Sequence, residues 1–208
     1  QYIGEPLQLQ TFNNDTDNTV AQYNGVYNHK LKKEGEKLDL EVDYSVFAQD
    51  EIANFRFTNI PFPPNYTDFV DTDRDQTTIN LDYVNPLSDK AKLEIGAEAR
   101  LFDTNIDYNS DEFIQTPATD FSYKRDIYSL YVTYGKSFDK WSYQVGARAE
   151  TVTEDASAIR QLESTSETTP FENDYFQVYP SAFVTYTPSD KNSYQMSFSR
   201  RVDRPGLQ

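Results

Sequence analysis

Four stretches of the chain, at 31–45, 85–100, 136–150 and 187–201, each contain a strand in which apolar and polar positions alternate strictly. In the third stretch the apolar positions are Trp141, Tyr143, Val145, Ala147 and Ala149. An apolar residue at every second position is the period of a β-strand, because successive side chains of a strand point to opposite faces. The pattern therefore predicts strands that have one apolar face and one polar face.

Each alternating strand begins just after a short turn that is rich in charged residues and turn formers. The predicted turns are 33–36, 88–90, 139–140 and 189–191, and the strands after them align on Lys37, Ala91, Trp141 and Asn192. The unit recurs about every 50 residues. Weaker alternating partners precede the turns, at roughly 20–32, 76–87, 124–138 and 175–187. The chain is therefore predicted to be all-β, an antiparallel up-and-down meander of about eight strands in four hairpins.

The other connections are much longer, polar and mostly acidic. They are predicted as loops at 50–74, 107–122 and 154–174. Short turns at one end of a sheet and long loops at the other are typical of β-barrels in outer membranes. Aromatic residues near both strand ends predict two girdles. The girdle at the turns would contain Phe138, Trp141, Tyr143, Tyr186 and Tyr194, and the girdle at the loops Phe102, Tyr123, Tyr175 and Phe176.

Composition limits the function classes that remain. The 208 residues carry a formal net charge of -15, which repels phosphate backbones, so nucleic-acid binding is not expected. Hydrophobic residues make up only 37%, yet 16 Tyr and 14 Phe keep the ring content high, which suits a sheet with one apolar and one wet face. No apolar run is long enough for a transmembrane helix, but a barrel strand needs only about 9–11 alternating residues.

The C-terminal stretch 176–208 carries the most specific motif of the chain. An aromatic strand reaches Tyr179-Pro180-Ser181, a turn follows, and the next strand leads into the sequence from Ser197 to Pro205. This stretch resembles the barrel of TonB-dependent receptors of the outer-membrane β-barrel family. The stretches 92–98 and 144–150 look like strand openings of the same family. The resemblance covers roughly residues 20–208.

The resemblance implies that the chain is a wall segment of a larger transmembrane barrel, since family members have about 22 strands. Residues 1–19 would be a lead-in segment, and residues 20–208 a barrel segment without a plug domain. The location would be the outer membrane of a Gram-negative bacterium, where the receptor imports a scarce nutrient such as a metal chelate, glycan or peptide. The partners would be outer-membrane lipid, the plug and remaining strands of the receptor, and the TonB complex through the plug.

The polar face of the strands supplies the candidate ligand residues, because this face of a barrel wall lines the water-filled interior. The candidates for contact with a ligand in the lumen are Asp39, Glu41, Asp43, Glu94, Glu98, Arg100, Gln144, Arg148, Glu150 and Arg201. No metal site and no cofactor are predicted.

Catalytic constellations are weak in this sequence. His29 is the single histidine and has no nearby candidate nucleophile. The run from Asp71 to Asp75 begins like a calcium loop, but Gln76 stands where the sharp turn of an EF-hand needs glycine. Enzyme activity is therefore not expected.

Two other classes stay open on the sequence alone. A soluble carbohydrate- or protein-binding β-sandwich would bury the apolar stripes between two sheets. A purely structural or assembly role in the outer membrane would use the same wall without a ligand. Solubility without detergent separates the sandwich from a barrel wall, and ligand binding by the intact protein separates a carrier from a scaffold.

Overall fold

Eight antiparallel strands make up the structure, a computed structural model that describes residues 9–59, 64–112, 117–162 and 165–202. They form a single sheet in which each strand pairs with its neighbours in sequence. The strands are β1 (Leu9–Lys30), β2 (Lys37–Thr58), β3 (Tyr66–Ser88), β4 (Ala91–Ser110), β5 (Thr119–Ser137), β6 (Trp141–Gln161), β7 (Ser166–Ser189) and β8 (Asn192–Ser199). Within the described ranges, no helix is long and apolar enough to cross a membrane.

The predicted hairpins are confirmed. The residues on which the four units align are the first residues of β2, β4, β6 and β8. In the first turn the amide of Glu36 donates to the carbonyl of Lys33 at 3.0 Å, and Gly35 adopts a φ of 77°, which glycine enters without steric cost. A sandwich would divide its strands between two sheets, so the single sheet of the described strands argues against that alternative.

The strands are much longer than the sequence pattern predicts. The predicted loops at 50–74, 107–122 and 154–174 are wrong in extent, because most of these residues are strand. The ranges between the strands at this end of the sheet are 59–65, 111–118 and 162–165. These strand extensions carry polar residues on both faces, so no apolar period marks them in the sequence. They form strands because the neighbouring strands pair with their backbone amides and carbonyls.

The ends of the chain are only partly described. β1 begins at Leu9, well before the strand start predicted near residue 20. Residues 1–8 and 203–208 lie outside the described residues, and so does the end of the C-terminal motif. The division into a lead-in segment at 1–19 and a barrel segment at 20–208 stays a prediction.

The register of the strands defines two faces for the whole sheet. Directly opposite residues of an antiparallel pair lie on the same face. One face carries the odd-numbered residues of β1, β3, β4 and β6 and the even-numbered residues of β2, β5, β7 and β8. Leu130 on this face is 67% exposed, whereas Thr104 and Val152 on the other face are 1% and 0% exposed. A single sheet buries side chains only where it curves around them, so the first face is named convex and the second concave.

A contact across three strands joins the middle of the concave face. Asp82, Gly96 and Tyr131 are directly opposite one another on β3, β4 and β5. The Tyr131 ring lies across Gly96, and its hydroxyl donates a hydrogen bond to Asp82. A Cβ atom built on Gly96 would overlap this ring. Glycine is therefore required here by the packing of the tyrosine.

Replacement of Gly96 by alanine is expected to lower the free energy of unfolding by about 1–3 kcal/mol, because the methyl group must displace the Tyr131 ring. Gly25→Ala is the matched control, since the nearest atom to a Cβ there is the Val42 carbonyl oxygen at 4.0 Å. Alanine at Gly25 mainly restricts the unfolded chain and is expected to cost nothing. Urea denaturation measures both variants, and equal losses would contradict the packing argument.

Candidate functional site

The convex face carries a continuous apolar band. On β4 the band consists of Leu93, Ile95, Ala97, Ala99 and Leu101, which share the convex face. Its large side chains are exposed, as for Ile95 at 44% and Val145 at 46%. On β4 the band is about nine residues long, which is the length that crosses a hydrocarbon core in a tilted barrel strand. Soluble monomers rarely expose an apolar patch of this size, so the convex face requires an apolar partner.

Aromatic side chains border the apolar band at the turn end. Trp141 stacks on Tyr186 with ring centroids 4.3 Å apart, and the ring centroid of Tyr143 lies 5.9 Å from that of Phe138. Tyr194 is directly opposite Tyr186 on the same face. These are the residues that the sequence predicts for the girdle at the turns.

The girdle predicted at the loop end is wrong for three of its four residues. Phe176 lies on the convex face, but Phe102, Tyr123 and Tyr175 lie on the concave face. A shift of one residue moves a side chain to the opposite face of a strand. The sequence at this end lacks the alternation that would have identified the face.

Four of the predicted lumen residues form one polar network on the concave face. Glu98 accepts hydrogen bonds from Arg148 Nη2 and from Arg100 Nε, both at 2.6 Å. Arg148 also donates through Nε to Glu150 at 2.7 Å and through Nη2 to the Ser129 hydroxyl at 2.9 Å. The Glu150 side chain is 4% exposed, and a buried carboxylate is tolerated only with such partners. The network therefore neutralises its own charges at the level of the apolar band.

Three further predicted residues follow one another on the concave face of β2. Asp39 accepts hydrogen bonds from Asn28 at 2.7 Å and from Lys37, its ion-pair partner, at 2.5 Å. Asn24 donates to Asp43 at 2.7 Å and to Glu41 at 3.3 Å. Amides of β1 thus hold the three carboxylates of β2 in a row.

The remaining predicted residues lie apart from both groups. Glu94 accepts a hydrogen bond from Lys92 at 2.7 Å, and Gln144 lines a recess of about 660 Å³ at the turn end. Arg201 follows β8 and is exposed, while its neighbour Arg200 donates to Gln177 at 2.6 Å. Contact of any predicted lumen residue with a ligand stays a prediction.

Sequence reasoning missed several members of the polar groups, notably Ser129, Tyr131 and Asp82. They join the groups through pairing between strands that are tens of residues apart in the chain. The only local signal is the alternation of their strands. Each of these residues stands at a polar position between the apolar positions of its strand, and therefore on the concave face.

Beyond the apolar band the convex face becomes strongly acidic. Five aspartates stand directly opposite one another across β1 to β5, namely Asp17, Asp50, Asp71, Asp107 and Asp120. Like charges directly opposite each other destabilise a sheet, and only water and salt reduce their repulsion. This part of the convex face therefore belongs in an aqueous phase.

The concave face at the same height has a different chemistry. The guanidinium of Arg74 lies 5.5 Å from the ring centroid of Phe47, and that of Arg125 lies 6.0 Å from the ring centroid of Tyr123. Burial raises the pKa of Tyr123, so its hydroxyl stays protonated and donates to Glu154 at 3.1 Å. Arginines and aromatic rings thus line the inside of the curve, while the aspartate row lies outside it.

Together these features define a wall of a transmembrane β-barrel. The convex band has the length and exposure of a lipid-facing surface, and the concave face has the polar network of a lumen. The chain belongs to the outer membrane protein beta-barrel family, whose model matches residues 29–208. Its location is the outer membrane of a Gram-negative bacterium. A search of curated proteins found no match.

Solved receptors share the fold at low sequence identity. The ferric yersiniabactin uptake receptor FyuA from Yersinia pestis has a TM-score of 0.53 and 9% identity, over 74% of this chain and 27% of the receptor. The ferric citrate transporter FecA in the unliganded form has a TM-score of 0.53 and 12% identity, over 84% and 26%. The siderophore receptor PiuA from Acinetobacter baumannii has a TM-score of 0.58 and 13% identity, over 89% and 32%.

The fold of a TonB-dependent receptor barrel, which the sequence motifs resemble, is confirmed by these comparisons. The chain spans between about a quarter and a third of the length of the three receptors. It therefore corresponds to one part of a barrel wall.

Neutralisation of the central member of the aspartate row is expected to stabilise the sheet. Asp71 faces Asp50 and Asp107 directly, so Asp71→Asn should raise the free energy of unfolding by about 0.5–1 kcal/mol at low ionic strength. Asp17→Asn is the control, because Asp17 faces one aspartate within this chain and should gain less. Urea denaturation at about 0.01 M and 1 M salt measures both variants, and a gain that persists at 1 M salt would contradict a Coulombic origin.

Adjacent residues of β6 test which face meets lipid. Val145→Arg places a charge on the convex band and is expected to cost about 2–4 kcal/mol and to block assembly, whereas Gln144→Arg on the concave face should assemble normally. Assembly is measured in outer-membrane fractions. A labelled Val145→Cys variant separates lipid contact from burial in protein, because quenchers on lipid chains should quench a probe at this position. Absence of quenching in the folded parent protein would reject the lipid-facing assignment.

Proposed function

We propose that the chain forms part of the wall of an importer that carries a scarce nutrient across the outer membrane. The observation that carries the proposal is the division of chemistry between the two faces. The convex face presents an apolar band, while the concave face collects glutamate, aspartate, arginine, asparagine and serine side chains within hydrogen-bonding distance of one another. Such a wall separates lipid from an aqueous path and offers hydrogen-bonding groups along that path.

The nutrient would be a metal chelate, a glycan or a peptide. Two of the fold relatives are named for a ferric chelate, which supports the first of these classes without deciding among them. Transport would depend on the remaining strands, on a plug and on the energised TonB complex, which acts through the plug. No catalytic step is proposed for the chain.

The predicted lumen residues would act in two ways. The network around Arg148 is internally paired, so it would hold the wall rigid and present its outer oxygen atoms to a passing solute. Glu41 and Asp43 of β2 accept hydrogen bonds from the Asn24 amide of β1, which does not neutralise their charge, whereas Asp39 is also paired with Lys37. A solute with hydroxyl or amide groups could replace the asparagine amides as hydrogen-bond donors to these carboxylates, with little net change in free energy.

Deletion of the gene that encodes the parent protein tests the proposal. The deletion strain is expected to lose growth on one of three nutrient panels, containing ferric chelates, oligosaccharides or peptides as the limiting source. The wild-type gene should restore growth, and a strain that lacks the TonB complex should show the same loss. Gln144→Arg, which preserves assembly, should alter uptake if the lumen surface contacts the nutrient.

A scaffold role would give the opposite pattern. Normal growth on all three panels, combined with increased sensitivity of the deletion strain to detergents, would reject import and favour a structural function.

A further inference from the structure

Arg74 differs from Arg100, Arg125 and Arg148 because no carboxylate occupies a neighbouring position on its face. Phe47 and Thr104 are directly opposite it on β2 and β4. Thr72 and Gln76 are its nearest same-face neighbours on β3. The diagonal positions hold Ser45, Gln49, Phe102 and Ile106. In a chain with 34 acidic and 19 basic residues, a half-buried guanidinium surrounded by neutral groups is unexpected.

Two polar atoms at this place are buried without a hydrogen-bond partner. They are Nε of Arg74 and Oγ1 of Thr104. Thr104 is almost completely buried, and it faces Arg74 directly across the strand pair. A buried polar group without a partner costs about 1–3 kcal/mol, so a bound polar group, water included, would be stabilised at this place.

A second arginine lies on the same face, two strands away from Arg74 and diagonal to Thr104. Tyr123 of β5 is directly opposite Thr104, and Arg125 follows two residues later on the same face. Glu154 is opposite Arg125 in the register, but its carboxylate accepts hydrogen bonds from Tyr123 at 3.1 Å and Asn173 at 2.9 Å. The guanidinium of Arg125 lies over aromatic rings instead, with the nearer ring centroid at 5.7 Å.

Two other arginines of the concave face, in contrast to Arg74 and Arg125, are paired with glutamate. Arg100 and Arg148 each bind glutamate at 2.6 Å at the level of the apolar band. The acidic residues next to Arg74 in sequence, Asp73 and Asp75, lie on the convex face and so are directed away from the lumen. The concave face thus has no carboxylate directly next to Arg74, and the nearest acidic residues of β2 and β3 on this face lie farther along the strands, at Asp43, Glu51 and Asp68.

We propose that Arg74, Arg125 and the hydroxyl of Thr104 form an anion-binding subsite on the lumen wall. The subsite would take a carboxylate or phosphate group of the imported solute. A planar guanidinium donates two parallel hydrogen bonds to either group, and aromatic rings beneath the two guanidinium groups orient them. This inference rests on the proposed import function and narrows it, because it selects a solute that carries an anionic group.

The subsite is tested by calorimetric titration of the parent receptor, purified in detergent, with two probes. Citrate supplies carboxylates and inorganic phosphate supplies phosphate, so the two titrations distinguish the two sources of negative charge. Loss of a charge-assisted pair is expected to weaken binding of the preferred probe about tenfold or more in Arg74→Gln and in Arg125→Gln. Arg74→Lys keeps the charge but loses the planar fork, so its affinity should be intermediate.

Lys124→Gln is the matched control for net charge. Lys124 is adjacent to Arg125 in sequence but lies on the convex face, where it forms an ion pair with Asp126 at 3.6 Å. Its removal changes the charge of the protein equally without touching the lumen wall, and the affinity should stay within about twofold. The heat-dependent shift in electrophoretic mobility of the barrel reports folding of every variant.

Three results would overturn the subsite: no binding of either probe, equal affinity in the wild-type, Arg74→Gln and Arg125→Gln receptors, or an equal loss in Lys124→Gln. If Arg74→Gln does not fold, Arg74→Lys and Arg125→Gln decide by the same criteria. If the deletion strain loses growth only on a neutral or cationic nutrient, the anion subsite is rejected but the import function is not. If probe binding depends on Arg74 and Arg125 but the deletion strain grows normally on every nutrient, the import function is rejected but the subsite is not.

Discussion

Uninterrupted antiparallel pairing of the eight strands is the constraint on which the rest of the structure depends. In hydrocarbon an unpaired backbone amide or carbonyl costs several kcal/mol, so a membrane-crossing sheet must complete its hydrogen bonds across strands. Once the register is set, the odd or even position of a residue in its strand decides whether its side chain faces lipid or the lumen. The outer sides of β1 and β8 are free in this sheet, and in a closed barrel further strands would pair with them.

The medium around each strand explains how its residues are distributed. Within the apolar band only one face is wet, and strict alternation follows. Beyond the band both faces meet water, and there the difference between faces is one of charge. The aspartate row from Asp17 to Asp120 lies on the convex side, whereas Arg74 and Arg125 lie on the concave side. The convex side at the loop end thus carries a continuous row of aspartates, whereas on the concave side arginines are mixed with Glu51, Asp68 and Glu154.

Two kinds of polar surface coexist on the concave face. The network of Glu98, Arg148 and Glu150 satisfies its own charges, which makes it a stable part of the wall. Arg74 and Thr104 leave buried polar atoms without partners, which costs stability. In the described part of the chain Asp68 and Asp126 each have another such oxygen atom, but Arg74 and Thr104 place two of these groups directly opposite each other, where a bound solute can offset the cost.

Sequence by itself determined the hairpins, their turns and the alternation of faces, because a turn formed by neighbouring residues and a period of two are local properties. It placed the first residues of β2, β4, β6 and β8 correctly and indicated which positions are polar. Only the tertiary structure decided how far the strands extend past the membrane, since segments such as 50–58 carry no period and become strand through pairing. It also decided which polar residues meet. Glu98 and Arg148 are 50 positions apart in the chain, and only the register of β4, β5 and β6 brings their side chains to 2.6 Å.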